Sequence, residues 1–208
     1  MNTQINNNNI EMVDIDVVVD YQNDFVIGSL GFKGAEVLDE GIRAETWQCL
    51  EDGGVVFATL DTHFNDYMET REGKNLPIVH TVDKTIGHQL YGETGEYLRY
   101  KAKEDPDRVK FIKKTTFGSA DLINALRNKI TMLQTQGKQV RRVRLMGVVT
   151  NICVISNAVA TIMAVADLKP IVDVEVLAYL CGSNDWEMHE KALEVMESFQ
   201  VKVIRETK

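Results

Sequence analysis

Three residues of this 208-residue chain carry the makings of nucleophilic catalysis: Asp20, Lys114 and Cys153. Cys153 lies in GVVTNICVIS, where an apolar run breaks at Thr-Asn and then resumes. A thiol attacks as its thiolate. The start of a helix favours that charge through its free N–H groups and its dipole, and the same N–H groups can hold an oxyanion. A carboxylate such as Asp20 can take the thiol proton, and a lysine such as Lys114 can keep that carboxylate charged and oriented. Each residue alone has a plainer role: an inert buried thiol, a turn cap and a solvated cation.

A second set is Asp61, His63, Glu72 and His80. Asp-x-His puts both side chains on one side of an extended segment. A carboxylate with two imidazoles and open positions is a common way to hold zinc, iron or manganese. The chain has only four histidines, and two fall in this stretch. The other two, His88 and His189, read as structural. His189-Glu190 begins no HExxH motif, because Leu193 occupies its last position. Gly28, Gly31 and Gly34 match neither a dinucleotide fingerprint nor a P-loop and read as turn residues. Cys49 and Cys181 read as ordinary small residues.

These groups need a scaffold, and the pattern of apolar residues supplies one. Residues 13–19, 55–60, 109–112, 140–149, 172–177 and 201–204 are short β-branched runs of the kind found in buried strands. Helical spacing appears at 35–51, 95–103, 121–136, 152–166 and 186–199. Strand and helix alternate, which predicts a doubly wound, mostly parallel α/β sheet. In such sheets the site lies outside the carboxyl ends of the strands. Asp20, Asp61 with His63, Lys113 with Lys114, and Thr150 to Cys153 all follow strands at that edge, which favours the functional reading of the set. The polar stretch 61–87 shows no obvious element, and loops of that length are usually functional.

Composition narrows the classes. At 44% apolar and 26% charged, the chain reads as one ordinary globular domain over 12–208. A net charge of −8 argues against a nucleic-acid or anionic-membrane partner, which needs a basic patch. No apolar run approaches the ~20 residues of a spanning helix. Three scattered cysteines without a CxxC argue against a disulfide framework or zinc knot and suit a reducing cytoplasm. The opening MNTQINNNNIEM lacks the features of a signal peptide and reads as a flexible tail over 1–11.

The blocks DYQNDFVIGSLG, TLDTH, EGKNLPIVH, KKTTFGS, GVVTNICV and HEKALEVM, in this order and spacing, resemble the isochorismatase-like cysteine hydrolases, and within them the nicotinamidases. The resemblance implies a six-stranded parallel sheet with helices on both faces. It implies a catalytic triad of Cys153, Asp20 and Lys114, with Lys114 chosen over Lys113 by its place before Thr-Thr-Phe. It places a non-proline cis peptide at Val148–Val149 and an oxyanion hole at the N–H groups of Val149 and Cys153. One divalent ion is implied, zinc first with iron or manganese as alternatives, held by Asp61, His63 and His80. Glu72 completes that set, with Glu69 as a substitute. Phe25, Gln22, Leu76 and Phe117 would line the substrate pocket. The implied reaction is hydrolysis of nicotinamide to nicotinate and ammonia through a thioester, in NAD salvage, by a cytoplasmic homo-oligomer, with pyrazinamide as a second substrate. Two rivals are a metal-independent cysteine amidohydrolase acting on a carbamoyl or ureido group, and an inactive binding relative. The triad argues against the second, and the Asp-x-His set against the first.

Overall fold

The computed structural model describes residues 10–206. Six strands form one parallel sheet: β1 (Glu11–Val19), β2 (Val55–Asp61), β3 (Val109–Lys114), β4 (Lys138–Val148), β5 (Asp173–Gly182) and β6 (Lys202–Ile204). Their order is β3-β2-β1-β4-β5-β6, so the strand order reverses between β1 and β4. A crevice forms at the carboxyl ends of the strands on either side of such a reversal.

The near-continuous apolar runs follow from burial on both faces. Val13, Ile15, Val17 and Val19 of β1 pack with helices α5 (Ala120–Thr135), α6 (Ile155–Val165) and α7 (Trp186–Ser198). Val18, one pleat over, packs with α2 (Leu38–Glu51) and α4 (Gly92–Glu104). Local capping fixes where helices start. Ser119 accepts from Leu122 N at 3.1 Å, and Asp185 from Met188 N at 3.0 Å, each satisfying an orphan donor of the first turn.

Several boundaries differ from the sequence reading. Two short helices, α1 (Asn23–Val26) and α3 (Arg71–Asn75), carry too few residues to show a period. β1 starts at Glu11, which pairs with Lys138 of β4 and takes its ammonium at 2.6 Å, so Glu11 belongs to the sheet. Of the rest of the expected tail, Ile10 is exposed and 1–9 lie outside the described residues. β3 runs two residues further than expected, to Lys114, and β5 five further, to Gly182. Those extensions are polar or small at their ends, where the strands stop being core and begin to line the crevice. The apolar run after β4 opens with a wide five-residue turn, Thr150–Val154, before α6. Gly147 has φ +124, and a Cβ there would meet the Val19 carbonyl oxygen at 2.2 Å. Only glycine lets β4 lie this close to β1 where the strand order reverses. Among the described residues no helix is long and apolar enough to cross a membrane.

Candidate active site

The ends of β1, β2, β3 and β4 bring the first set together. Asp20 follows β1 in the left-handed region, at φ 46. Its N–H donates to Thr59 Oγ1 at 3.2 Å, and that hydroxyl donates to Asp20 Oδ1 at 2.6 Å. Lys114 lies in register beside Asp61 across β2 and β3. Its Nζ is 2.6 Å from Asp20 Oδ2, 3.3 Å from Asp61 Oδ1 and 3.7 Å from Cys153 Sγ. Strand alternation sends Lys113 the other way, to pair with Asp83. The pleat therefore selects Lys114 physically.

Asp20, Lys114 and Cys153 are all buried. Burial pushes the Cys153 thiol well up; Lys114 opposes this, and the charges of Asp20 and Asp61 add to it. Asp20 is also raised, by burial and by the Asp61 charge, against the pull of Lys114. Lys114 goes up despite its burial, held by Asp20, Cys153 and Asp61. The result is a fixed ammonium beside a carboxyl group with raised proton affinity and a thiol. Asp20 Oδ2 is close enough to Lys114 for an ion pair, yet it is buried without an aligned hydrogen bond.

The second set forms as the 61–87 segment folds back. His63 N donates to Thr81 O at 3.1 Å and Asp83 N to His63 O at 2.9 Å, a short parallel bridge that carries His80 to the end of β2. Asp24 holds the return by accepting from Thr81 N at 2.7 Å. Thr70 caps α3 through Gly73 N at 2.9 Å, and α3 presents Glu72. Glu69 is exposed in the preceding turn and takes no part in the cluster. His63 Nε2 lies 3.0 Å from Asp61 Oδ2 and 3.6 Å from Glu72 Oε1; His80 Nε2 lies 3.4 and 3.5 Å from the same two oxygens.

This donor set fits a divalent metal. One ligand atom from each of the four residues lies within 4.8 Å of every other. His63 Nε2 is buried and has no aligned hydrogen-bond partner. His80 Nδ1 donates to Ile78 O at 2.7 Å, which leaves its Nε2 as the ligating nitrogen. Two imidazoles and two carboxylates suit zinc, iron or manganese. In the bare protein the set holds protons instead. Burial alone would lower both imidazoles, but contacts with Asp61 and Glu72 outweigh it and hold His63 and His80 at about 9. Burial would raise Glu72, and the two histidines bring it down to about 2.

Members of both sets line one cavity of about 150 Å³, while Asp20, Lys114 and His63 are not among its lining residues. Its lining includes Cys153 and Val149, Asp61, Glu72 and His80, and the apolar Phe25, Leu76 and Phe117. The peptide between Val148 and Val149 is cis. Gln22 does not line the cavity, contrary to the sequence reading. Its side chain is wholly buried and clamps the backbone of Asp61, donating to Asp61 O at 3.0 Å and accepting from Asp61 N at 2.8 Å. It also donates to His88 O at 2.8 Å, so its amide is used up before any ligand could reach it.

Sequence reasoning missed Leu30, Phe32, Ile152 and Asn184, which also line the cavity. Asn184 had a usable signal: it follows β5 at the same sheet edge, but ending that strand at residue 177 hid it. Thr59 was missed because a buried strand threonine looks like any β-branched core residue.

The isochorismatase domain matches residues 15–207. The chain belongs to the isochorismatase family. It is 27% identical over 146 residues to a Bacillus subtilis (strain 168) protein described as the uncharacterized isochorismatase family protein PncA, covering 69% of this chain and 75% of that one. The crystal structure of nicotinamidase PncA from Bacillus subtilis is similar at a TM-score of 0.75 and 25% identity, covering 94% of this chain and all of that one. Pyrazinamidase of Pyrococcus horikoshii in complex with zinc shares the fold at a TM-score of 0.70 and 23% identity, over 94% of this chain and 99% of that one. The six-stranded parallel sheet flanked by helices is thus the isochorismatase-family architecture.

Proposed function

We propose that this isochorismatase-family protein is a metal-dependent cysteine amidase that hydrolyses nicotinamide to nicotinate and ammonia. One observation carries the reading: a single small cavity is lined by both a thiol and three members of a metal-ligand set. A carbamoyl or ureido hydrolase needs only the thiol side. The similarity to nicotinamidase PncA supports the same choice. A cavity of about 150 Å³ lined mainly by apolar side chains suits one small aromatic ring, since engineered cavities of about that size bind benzene.

Asp61, His63, Glu72 and His80 would hold the ion. When bound, it supplies a coordination position for a ring nitrogen and so fixes the ring's orientation. Everything else falls to the chain's own side chains. Phe25 and Leu76 hold the ring, and Cys153 meets the carboxamide carbon. Asp20 takes the thiol proton while the Lys114 ammonium, 3.7 Å from the sulfur, stabilises the thiolate. Sulfur bonds to the carbonyl carbon, and the N–H groups of Val149 and Cys153 hold the oxyanion. Asp20 returns the proton to nitrogen, the C–N bond breaks and ammonia leaves a thioester. Asp20 then takes a proton from water, the hydroxide adds to the thioester, and the C–S bond breaks. The acid is released and the proton goes back to sulfur. Pyrazinamide, with the same ring nitrogen and carboxamide, would be accepted too.

Ammonia release from nicotinamide tests this reading. Cys153→Ala is expected to lower turnover at least about 10³-fold with the fold intact. Turnover of nicotinamide by the alanine variant at the unchanged rate, or a preference of the unchanged protein for ureido substrates, would overturn it.

A further inference from the structure

The block HEKALEVM has no place in the chemistry above, yet its histidine reaches the nucleophile's turn. His189 lies in the first turn of α7 and is buried. Its Nδ1 is 2.9 Å from Thr150 Oγ1. Thr150, fully buried, opens the turn that holds Cys153, and its hydroxyl donates to Gly182 O, the last residue of β5, at 2.9 Å. A hydroxyl has one proton to give. With that proton on Gly182, Thr150 Oγ1 must accept, so His189 carries its proton on Nδ1. The polarity of the whole chain is thereby set: His189 to Thr150 to Gly182. Trp186 stacks on the imidazole, with ring centroids 4.6 Å apart at 13°. Next to it, Ser183 Oγ donates to Asn151 Oδ1 at 2.7 Å, a second tie between the same two segments. Asn184, the following residue, lines the cavity.

We propose that His189 and Thr150 are positioning residues, a buried relay that locks the Cys153 turn against the end of β5 and so sets where the sulfur stands relative to Lys114 and Asp20. The relay runs from α7 through the turn to β5 and touches no reacting atom. Its loss would let the turn shift and would take Cys153 Sγ away from the ammonium 3.7 Å from it. A thiol without that neighbour ionises less readily. The inference extends the proposed amidase reading, but its first readout needs no substrate.

The test compares Thr150→Val and His189→Leu, which remove the relay, with Thr150→Ser and His189→Asn, which keep it. An asparagine amide nitrogen stands close to the place of imidazole Nδ1. The rate of Cys153 alkylation by iodoacetamide, assigned by peptide mass mapping, is read for each folded variant, together with kcat and KM for nicotinamide. Thr150→Val and His189→Leu are expected to slow alkylation about tenfold and lower kcat by about the same factor, with KM within about threefold. The serine and asparagine variants are expected to recover to within about threefold. Unchanged alkylation in folded Thr150→Val and His189→Leu would overturn the proposal, as would failure of the serine and asparagine variants to recover. Should Thr150→Val not fold, the His189 pair decides alone. If the unchanged protein does not hydrolyse nicotinamide, the amidase reading falls while the alkylation rates still judge the relay.

Discussion

Strand β1 feeds two buried networks of the same composition, and they are bonded differently. Each contains an aspartate, a cation and a cysteine. At Asp16 the partner is Arg144, whose Nε and Nη2 meet the two carboxylate oxygens at 2.7 and 3.0 Å. Glu45 takes Arg144 Nη1 at 2.8 Å, and Tyr179 donates to Glu45 at 2.9 Å. Cys49 points at the backbone oxygens of Asp14 and Val55, at 3.7 and 3.6 Å. Burial raises Asp16 to about 7 against the pull of Arg144, and burial raises Cys49 too. A surface groove reaches Arg144 and Glu45, but neither Asp16 nor Cys49 lines it.

At Asp20 the partner is Lys114, a point charge that does not fill the carboxylate as an Arg fork does. One oxygen is taken by Thr59, and the other has an ammonium nearby but no aligned donor. Cys153 lines an open cavity. A buried ion pair whose carboxylate is filled by an Arg fork is structural, whereas one whose carboxylate also meets a thiol that lines a cavity can move protons. Composition alone does not separate the two. How the carboxylate is bonded, and access, do.

Two pairs of substitutions and one titration sharpen that contrast. Lys114→Met and Arg144→Met each strand a buried carboxylate, and each should cost about 3–5 kcal/mol of stability in denaturant titration. Their activities should part: Lys114→Met is expected to lose about 10²–10⁴-fold in kcat/KM, whereas folded Arg144→Met keeps kcat/KM within about threefold. Equal losses of activity would erase the distinction between the networks. Thr59→Val removes the donor to Asp20 Oδ1 and should lower kcat about tenfold, while Glu45→Gln in the other network leaves kcat unchanged. Last, the metal set should exchange protons with its ion. His63 and His80, raised to about 9, are protonated in the bare protein at pH 7 and must be neutral to ligate. Zinc added to chelated protein in weak buffer should therefore release about two protons at pH 7, falling toward none above about pH 10. Release that does not change with pH would contradict the assigned ligand set.

The sheet and the site were legible to different depths. Runs such as residues 13–19 show a buried strand because both faces are covered, so five of the seven positions are Val or Ile, with Asp14 and Asp16 as the exceptions. The strand ends were less visible: Lys113-Lys114 break the apolar pattern where β3 enters the crevice, and β5 runs on past the alternating run at 172–177 through Ala178-Tyr179-Leu180 to Gly182. That loss hid the pleat argument for Lys114 and the position of Asn184. The 61–87 segment gave away its ligands by residue type, but the fold-back that joins His80 to His63 is made by backbone bonds and by Asp24, none of which leaves a periodic trace. Gln22 misled because a polar residue two places past the proposed base looks like a ligand contact. Its two-way amide clamp on Asp61 becomes visible only once β2 lies beside it.

On the proposed reading, the thiol and the metal set act on one substrate in one cavity. Ammonia release from nicotinamide, measured on the purified protein as prepared, after chelation, and after zinc is added back, tests it directly. Activity lost on chelation and restored by zinc is the predicted result. Chelated protein, shown by metal analysis to be empty, that turns over nicotinamide at the original rate would contradict it.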